Sequence, residues 1–191
     1  MSEAEPTSDD LTGKRVAFLV AREGIEQAEL TDPWDVVTAA GATPTLVSTE
    51  VGDVQAFDHL TAADTFEATL AASGASVDDF DALVLPGGVA NPDQLRTDAD
   101  AVGLVGAFFA AGKPVAAICH APWTLIEAGV TEGRTLTSWP SLRTDIENSG
   151  GTWVDEQVAV CTSGPNTLIT SRNPDDLEAF GAEIVRTLGR T

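Results

Sequence analysis

Cys119 and His120 stand side by side where the apolar run Val115-Ala116-Ala117-Ile118 gives way to Ala121-Pro122-Trp123. A thiol on a strand-to-helix turn is an arrangement for nucleophilic attack. Such a turn needs small residues two positions to either side of the nucleophile, and Ala117 and Ala121 satisfy this. The following helix is expected to aim backbone N–H groups at the sulfur and lower its pKa, with the N–H of His120 as an oxyanion donor. The competing reading makes Cys119 a small buried residue that ends a strand. The His120 side chain, next in sequence, is expected to diverge from that of Cys119, and no histidine lies downstream. Cys161 fits no such pattern and reads as a packing residue, and His59 as a solvated or structural histidine. Two cysteines and two histidines match no metal-ligand spacing, so neither a metal site nor a disulfide framework is expected.

Carboxylates come next. In Arg22-Glu23-Gly24-Ile25-Glu26-Gln27-Ala28-Glu29-Leu30, Glu26 and Glu29 are three residues apart where a first strand turns into a helix, and i,i+3 residues share a helix face. Leu30 and Trp34 imply that this helix packs inward and carries Glu29 toward the interior, where a glutamic acid keeps its proton and can donate it to a thiolate. Surface solvation is the alternative for both residues. A further strand ends in Leu85-Pro86-Gly87-Gly88-Val89-Ala90-Asn91-Pro92-Asp93, whose paired glycines let backbone N–H groups approach an anion.

The elements that must position these groups alternate short apolar runs with helical periods. That pattern belongs to an α/β fold: one domain, a three-layer α/β/α sandwich around a mostly parallel sheet, flavodoxin-like in plan. Strands are predicted at 15–21, 43–49, 81–86, 113–118, 134–138, 152–154, 157–162 and 167–171. Helices are predicted at 32–40, 98–111, from Cys119 to about Ala128, at 141–148, and from Asn173-Pro174 to near Leu188. Residues 50–80 read as a small hairpin and a short helix added to the sheet's edge. Residues 1–12 read as a disordered acidic lead-in to a domain at 13–191. In such folds chemistry gathers where strands end and helices begin.

Thirty acidic residues against ten basic ones give a net charge of −20, and Lys14 and Lys113 are the only lysines. That balance excludes an electrostatic nucleic-acid surface, while 43% hydrophobic residues argue for a folded chain. Excess acid with almost no lysine is expected of halophilic proteins, which work in concentrated salt, where screening suppresses self-repulsion. No apolar run reaches the ~18–20 residues of a membrane helix. The start, MSEAEPTSDDLTG, has no basic or apolar signal region, so a soluble cytoplasmic protein is expected.

These segments resemble the ThiJ/PfpI superfamily, which has the class I glutamine amidotransferase-like fold. The resemblance rests on AFLVAREGIEQAEL, FDALVLPGG, AGKPVAAICHAP, AGVTEGRTLTSWPSLRTDIENSGGTWVDEQV and ITSRNPDDL, which span residues 16 to 180. It is strongest to the PfpI-like branch of intracellular proteases, deglycases and glutathione-independent glyoxalases. The resemblance implies Cys119 as nucleophile and Glu29 as the glutamate bonded to its sulfur. It implies His120 and Asp93 as members of a triad shared between subunits, hence a homo-oligomer, a dimer or a dimer-based hexamer. Gly88 and the His120 N–H match oxyanion-binding positions, and Gly87 and Glu26 flank them. Trp123, where relatives carry smaller residues, is expected to narrow the pocket. No cofactor is implied. The substrate expected is a small reactive dicarbonyl or a glycated protein or peptide. A cysteine peptidase and a redox-sensing stress protein are the alternatives.

Overall fold

A computed structural model describes residues 9–191, and the expected lead-in lies mostly outside them. In chain order the elements are β1 Arg15–Val20, β2 Glu23–Glu26, α1 Gln27–Ala39, β3 Thr43–Ser48, β4 Gly52–Asp58, β5 Thr61–Ala68, β6 Leu70–Ala71 and β7 Ala82–Leu85. Then follow α2 Ala90–Leu95, α3 Ala99–Ala110, β8 Val115–Ile118, α4 Pro122–Glu127, β9 Thr135–Leu136 and α5 Arg143–Asn148. The chain closes with β10 Thr152–Trp153, β11 Val158–Cys161, β12 Leu168–Ser171 and α6 Leu177–Leu188. The main sheet has the order β11-β12-β8-β7-β1-β3-β6, and every neighbouring pair is parallel except β11 with β12.

Alternation along the central strands sorts side chains into two cores. In β1, Val16, Phe18 and Val20 face a layer built with Leu30 and Val37 of α1 and Phe180 and Ile184 of α6. Ala17 and Leu19 face the opposite layer, with Leu104 and Phe108 of α3, Leu125 of α4 and Ile146 of α5. Strands buried on both faces read as unbroken apolar runs, which is why β7 and β8 are so plain in the sequence. The architecture is therefore the expected three-layer sandwich.

Several expectations change. Leu11 is fully buried and donates its N–H to the Ala40 carbonyl at 2.7 Å, so the packed chain begins before residue 13. The first helix starts at Gln27 rather than residue 32. Asp32-Pro33 imitates a helix start, because proline is favoured at a first helical position, yet here Pro33 lies inside the helix. The 50–80 hairpin does not extend the main sheet. β4 and β5 pair antiparallel, β4 also pairs with β2, and the three form a separate sheet; two 3-10 turns stand where a short helix was expected. The short helix α2 was not anticipated, since Gly88 and Pro92 mask its single turn and a half.

One buried side chain clamps the sheet's carboxyl edge. The Asn91 amide accepts the Ala21 N–H at 2.7 Å and donates to the carbonyls of Pro86 at 2.9 Å and Gly87 at 3.0 Å. It thereby ties the end of β1 to the turn after β7. Asn91→Ala should lower unfolding free energy by about 2–4 kcal/mol, because three buried backbone groups lose their partner together. Urea unfolding followed by circular dichroism measures this, and an unchanged midpoint would contradict the clamp.

Candidate active site

β7 and β8 are parallel neighbours, with Leu85 in register with Ala117, so the turns that follow them emerge side by side. Cys119 occupies the turn after β8 with φ of 62°, a left-handed conformation that a side chain bearing Cβ seldom adopts. The strain is held from three sides. The Cys119 N–H donates to Ser171 O at 3.1 Å, its carbonyl accepts the Trp139 N–H at 2.9 Å, and Ala121 N–H closes the turn on Ile118 O at 3.0 Å. The elbow expected from Ala117 and Ala121 is present.

Gly87 and Gly88 bring the neighbouring turn against it. A Cβ on Gly87 would lie 2.7 Å from both the Cys119 Cβ and the Ile118 carbonyl. Gly88, at φ +84°, leaves a Cβ no room against Gly24 of β2. Gly87 donates its N–H to Glu29 Oε2 at 2.9 Å, so it serves the carboxyl and is not a free oxyanion donor. The N–H groups of Gly88 and His120 are the ones directed at the Cys119 sulfur.

Glu29, on the first turn of α1, is fully buried beside Cys119. Burial pushes its carboxyl up to about 8, Glu26 adds repulsion, and bonds from Cys119, Gly87 and Gly88 only partly oppose this. Its Oε1 has no hydrogen-bond partner among the described residues. The expectation of a lowered thiol pKa is corrected: burial and the Glu29 charge push the Cys119 thiol well up, and the N–H groups of Gly88 and His120 do not compensate. The helix contributes little, because α4 spans six residues and opens on Pro122, which has no N–H. At neutral pH each acid therefore keeps its own proton out of water. With the proton on Glu29, repulsion becomes donation toward the sulfur.

His120 also departs from expectation. Its Nδ1 lies 3.1 Å from the Cys119 sulfur, because the positive φ at Cys119 turns the two side chains together. Burial lowers the imidazole to about 4, so the ring is neutral at physiological pH. It stacks on Trp139, with centroids 5.6 Å apart and planes at 22°, and meets Trp123 at a 60° tilt with centroids 5.3 Å apart. Trp123 does not narrow the pocket. Its indole donates to Asp145 at 2.9 Å and lies under Arg96, in a groove on the other side of His120. Asp93 is exposed on α2 and does not line the pocket, and no acid of this chain bonds the His120 ring among the described residues.

Above the sulfur opens a cavity of about 540 Å³, walled by Phe57, Leu60, Val89, Ala90, Trp139 and Pro174 together with Glu26 and His59. Glu26 ends β2 and accepts the His59 N–H at 3.1 Å, fixing the tip of the β4–β5 hairpin at the mouth. His59 is itself exposed, as expected. Trp139, Phe57 and Leu60 were not anticipated as pocket residues. Trp139 follows the strand read at 134–138, a strand end like the others that carry the site, and this position is the signal that could have found it. Nothing local marks the hairpin residues. No helix among the described residues is long and apolar enough to cross a membrane.

Known proteins resemble this chain over most of its length. Residues 14–187 match the DJ-1/PfpI family. The chain is 40% identical to general stress protein 18 of Bacillus subtilis over 176 residues, covering 92% of this chain and 98% of that one. It is 38% identical to protein/nucleic acid deglycase 2 of Escherichia coli, over the same shares. Among solved structures, a two-domain protein of Anabaena variabilis with DJ-1/ThiJ/PfpI-like and ferritin-like domains superposes with a TM-score of 0.84 at 30% identity. The match covers 92% of this chain and 48% of that one.

The proton held by Glu29 has a measurable consequence for stability. Native Glu29 holds its proton up to about pH 8, whereas the unfolded carboxyl releases it near 4.5. The native state thus binds the extra proton between these values, and stability falls as pH rises through that window. Glu29→Gln, which cannot ionise, should flatten this part of the pH–stability curve. Thermal melts of both proteins from pH 4.5 to 8.5 test it, and parallel curves would show that Glu29 ionises normally.

Proposed function

The chain belongs to the DJ-1/PfpI family, and on that premise we propose that it is a cysteine-dependent enzyme of deglycase type. It acts on the adducts that reactive dicarbonyls form with amines and thiols. One observation carries the reading: at the pocket floor a strained Cys119 stands beside a buried, proton-holding Glu29, with the neutral His120 Nδ1 3.1 Å from the sulfur. This set suits proton transfer between adjacent carbons.

For a methylglyoxal adduct, the Cys119 thiol gives its proton to the neutral His120 Nδ1, 3.1 Å away, as its sulfur bonds to the carbon that bears the amine. The carbon–nitrogen bond breaks, and the amine leaves with the proton given by Glu29. The resulting hemithioacetal has a ketone next to its C–H. Glu29 or His120 removes that hydrogen as a proton and returns a proton to the neighbouring carbon, which converts the hemithioacetal into a thioester of a hydroxy acid. Water then cleaves the thioester, releasing lactate and the thiol. The N–H groups of Gly88 and His120 are positioned to stabilise oxyanions formed on the way. Free methylglyoxal enters the same sequence at the hemithioacetal, which is a glyoxalase reaction without glutathione. The cavity of about 540 Å³ is far larger than a three-carbon dicarbonyl and favours the adduct as substrate.

Methylglyoxal adducts of N-acetylarginine and N-acetylcysteine, assayed at low and at molar salt, should yield lactate without glutathione. Cys119→Ser should reduce the rate at least about a thousandfold and Glu29→Gln by about a hundredfold. Full activity in Cys119→Ser would overturn the mechanism.

A peptidase with a shared triad is the second reading, favoured by the contact of His120 with the sulfur. Its carboxylate would be Asp93 of a second copy, since Asp93 is exposed and no acid of the same chain bonds the ring among the described residues. Exposed Leu60 and Val89 at the pocket mouth would gain cover in such a homo-oligomer. In this reading Asp93→Ala abolishes hydrolysis of unstructured peptides and spares dicarbonyl turnover. A wild-type enzyme that cleaves no such peptide at any salt concentration refutes it.

A further inference from the structure

Arg134 lies at the other end of the sheet from the active site. It is 3% exposed, and no carboxylate forms an ion pair with it among the described residues. Nη1 donates to Asn166 Oδ1 at 3.0 Å, Nη2 donates to the carbonyls of Cys161 and Asn166 at 3.0 and 2.9 Å, and the Phe109 ring lies 5.6 Å from the guanidinium carbon. All these partners are neutral. The Nε–H points at the Cys161 sulfur at 3.3 Å. A buried guanidinium that has shed its water calls for an anion, and Cys161 is the one partner that can ionise.

The surroundings of the sulfur fit an anion. Besides Arg134 it faces the Thr135 N–H at 3.4 Å and the Ser163 hydroxyl at 3.1 Å. The loop after β11 lies directly over the cation: a Cβ on Gly164 would fall 2.6 Å from the Arg134 Cζ. Burial pushes the thiol up, yet bonds from Ser163, Thr135 and Arg134 outweigh it and bring it to about 7. Cys161 is 5% exposed, close to the 6% of Cys119, and the adjoining Thr162 and Ser163 are open to solvent. Cys161 pairs with Leu168 at the start of β12, whereas Cys119 bonds to Ser171 at its end, so the two sulfurs occupy opposite edges of the sheet.

We propose that Cys161 is held as a thiolate by Ser163, Thr135 and Arg134 together and is a second reactive cysteine, oxidised by hydroperoxides independently of the active site. The thiolate attacks one peroxide oxygen, a sulfur–oxygen bond forms and the oxygen–oxygen bond breaks. The hydrogen on the attacked oxygen passes to the leaving hydroxide or alkoxide, which departs as water or an alcohol. Sulfur is oxidised by two electrons to a sulfenate, which keeps its negative charge beside Arg134, and the peroxide is reduced.

In Cys119→Ser protein Cys161 is the sole thiol, and its ionisation is read from thiolate absorbance near 240 nm. The expected titration is half complete near pH 7, and hydrogen peroxide at that pH should give a dimedone-trapped sulfenic acid at Cys161 by mass spectrometry. Arg134→Met on this background should slow trapping about tenfold. Because that change empties a buried site, Ser163→Ala on the exposed loop provides a second variant, expected to slow trapping severalfold. A thiol still protonated at pH 8.5, or trapping rates equal in all three proteins, overturns the proposal. Cys161→Ser should keep full Cys119-dependent turnover, which separates this test from that of the deglycase reading.

Discussion

Glu29 and Cys119 are two acids pressed together out of water, and they cannot both give up their protons. Much of the structure around them serves that contact. The Gly87 N–H holds one carboxyl oxygen. A side chain at Gly87 would collide with the cysteine, and one at Gly88 with β2, so the two glycines are what allow the turn after β7 to approach the elbow. Asn91 fixes that turn to the end of β1. The positive φ at Cys119 is the conformational cost of aiming the thiol at the carboxyl, and the fold sustains it through bonds from β12 and from Trp139. Low dielectric strengthens the coupling and keeps a proton available where the chemistry needs one.

The second, smaller sheet turns this pair into a site. β2 leaves the main sheet immediately before α1, pairs with the β4–β5 hairpin, and so carries Glu26, Phe57 and Leu60 to the rim. The apolar walls stand over a nearly buried sulfur, in a cavity roomy enough for a side-chain adduct. Trp139 has two roles, since its N–H restrains the Cys119 carbonyl and its ring stacks on His120. The net charge of −20 has little part in this chemistry. Among the described residues, Glu23, Glu26 and Glu29 are the acids that line the cavity.

The two cysteines illustrate how environment rather than residue type sets thiol chemistry. Cys119 has a carboxyl for a neighbour and is pushed up, while Cys161 has a guanidinium and hydrogen-bond donors and is brought down. Both are nearly inaccessible, so burial alone does not separate them. The hydrogen-bond donors gathered around the Cys161 sulfur do.

The layer architecture, the central strands and the elbow are legible in the sequence because buried parallel strands read as continuous apolar runs, and small residues must flank a nucleophile on a sharp turn. Ala117, Ala121, Gly87 and Gly88 declare local backbone requirements that no other part of the chain can alter. The inward course of Glu29 is legible too, from Leu30 and Trp34 beside it. What the tertiary structure alone decided are relations between segments distant in the chain: that Trp139 rather than Trp123 faces the pocket, that the hairpin joins β2 rather than the main sheet, that His120 swings onto the sulfur, and that Arg134 meets Cys161. Protonation belongs to the same group. A pKa depends on which charges and dipoles lie within a few ångströms after folding, and sequence spacing cannot specify that when the partners come from different elements.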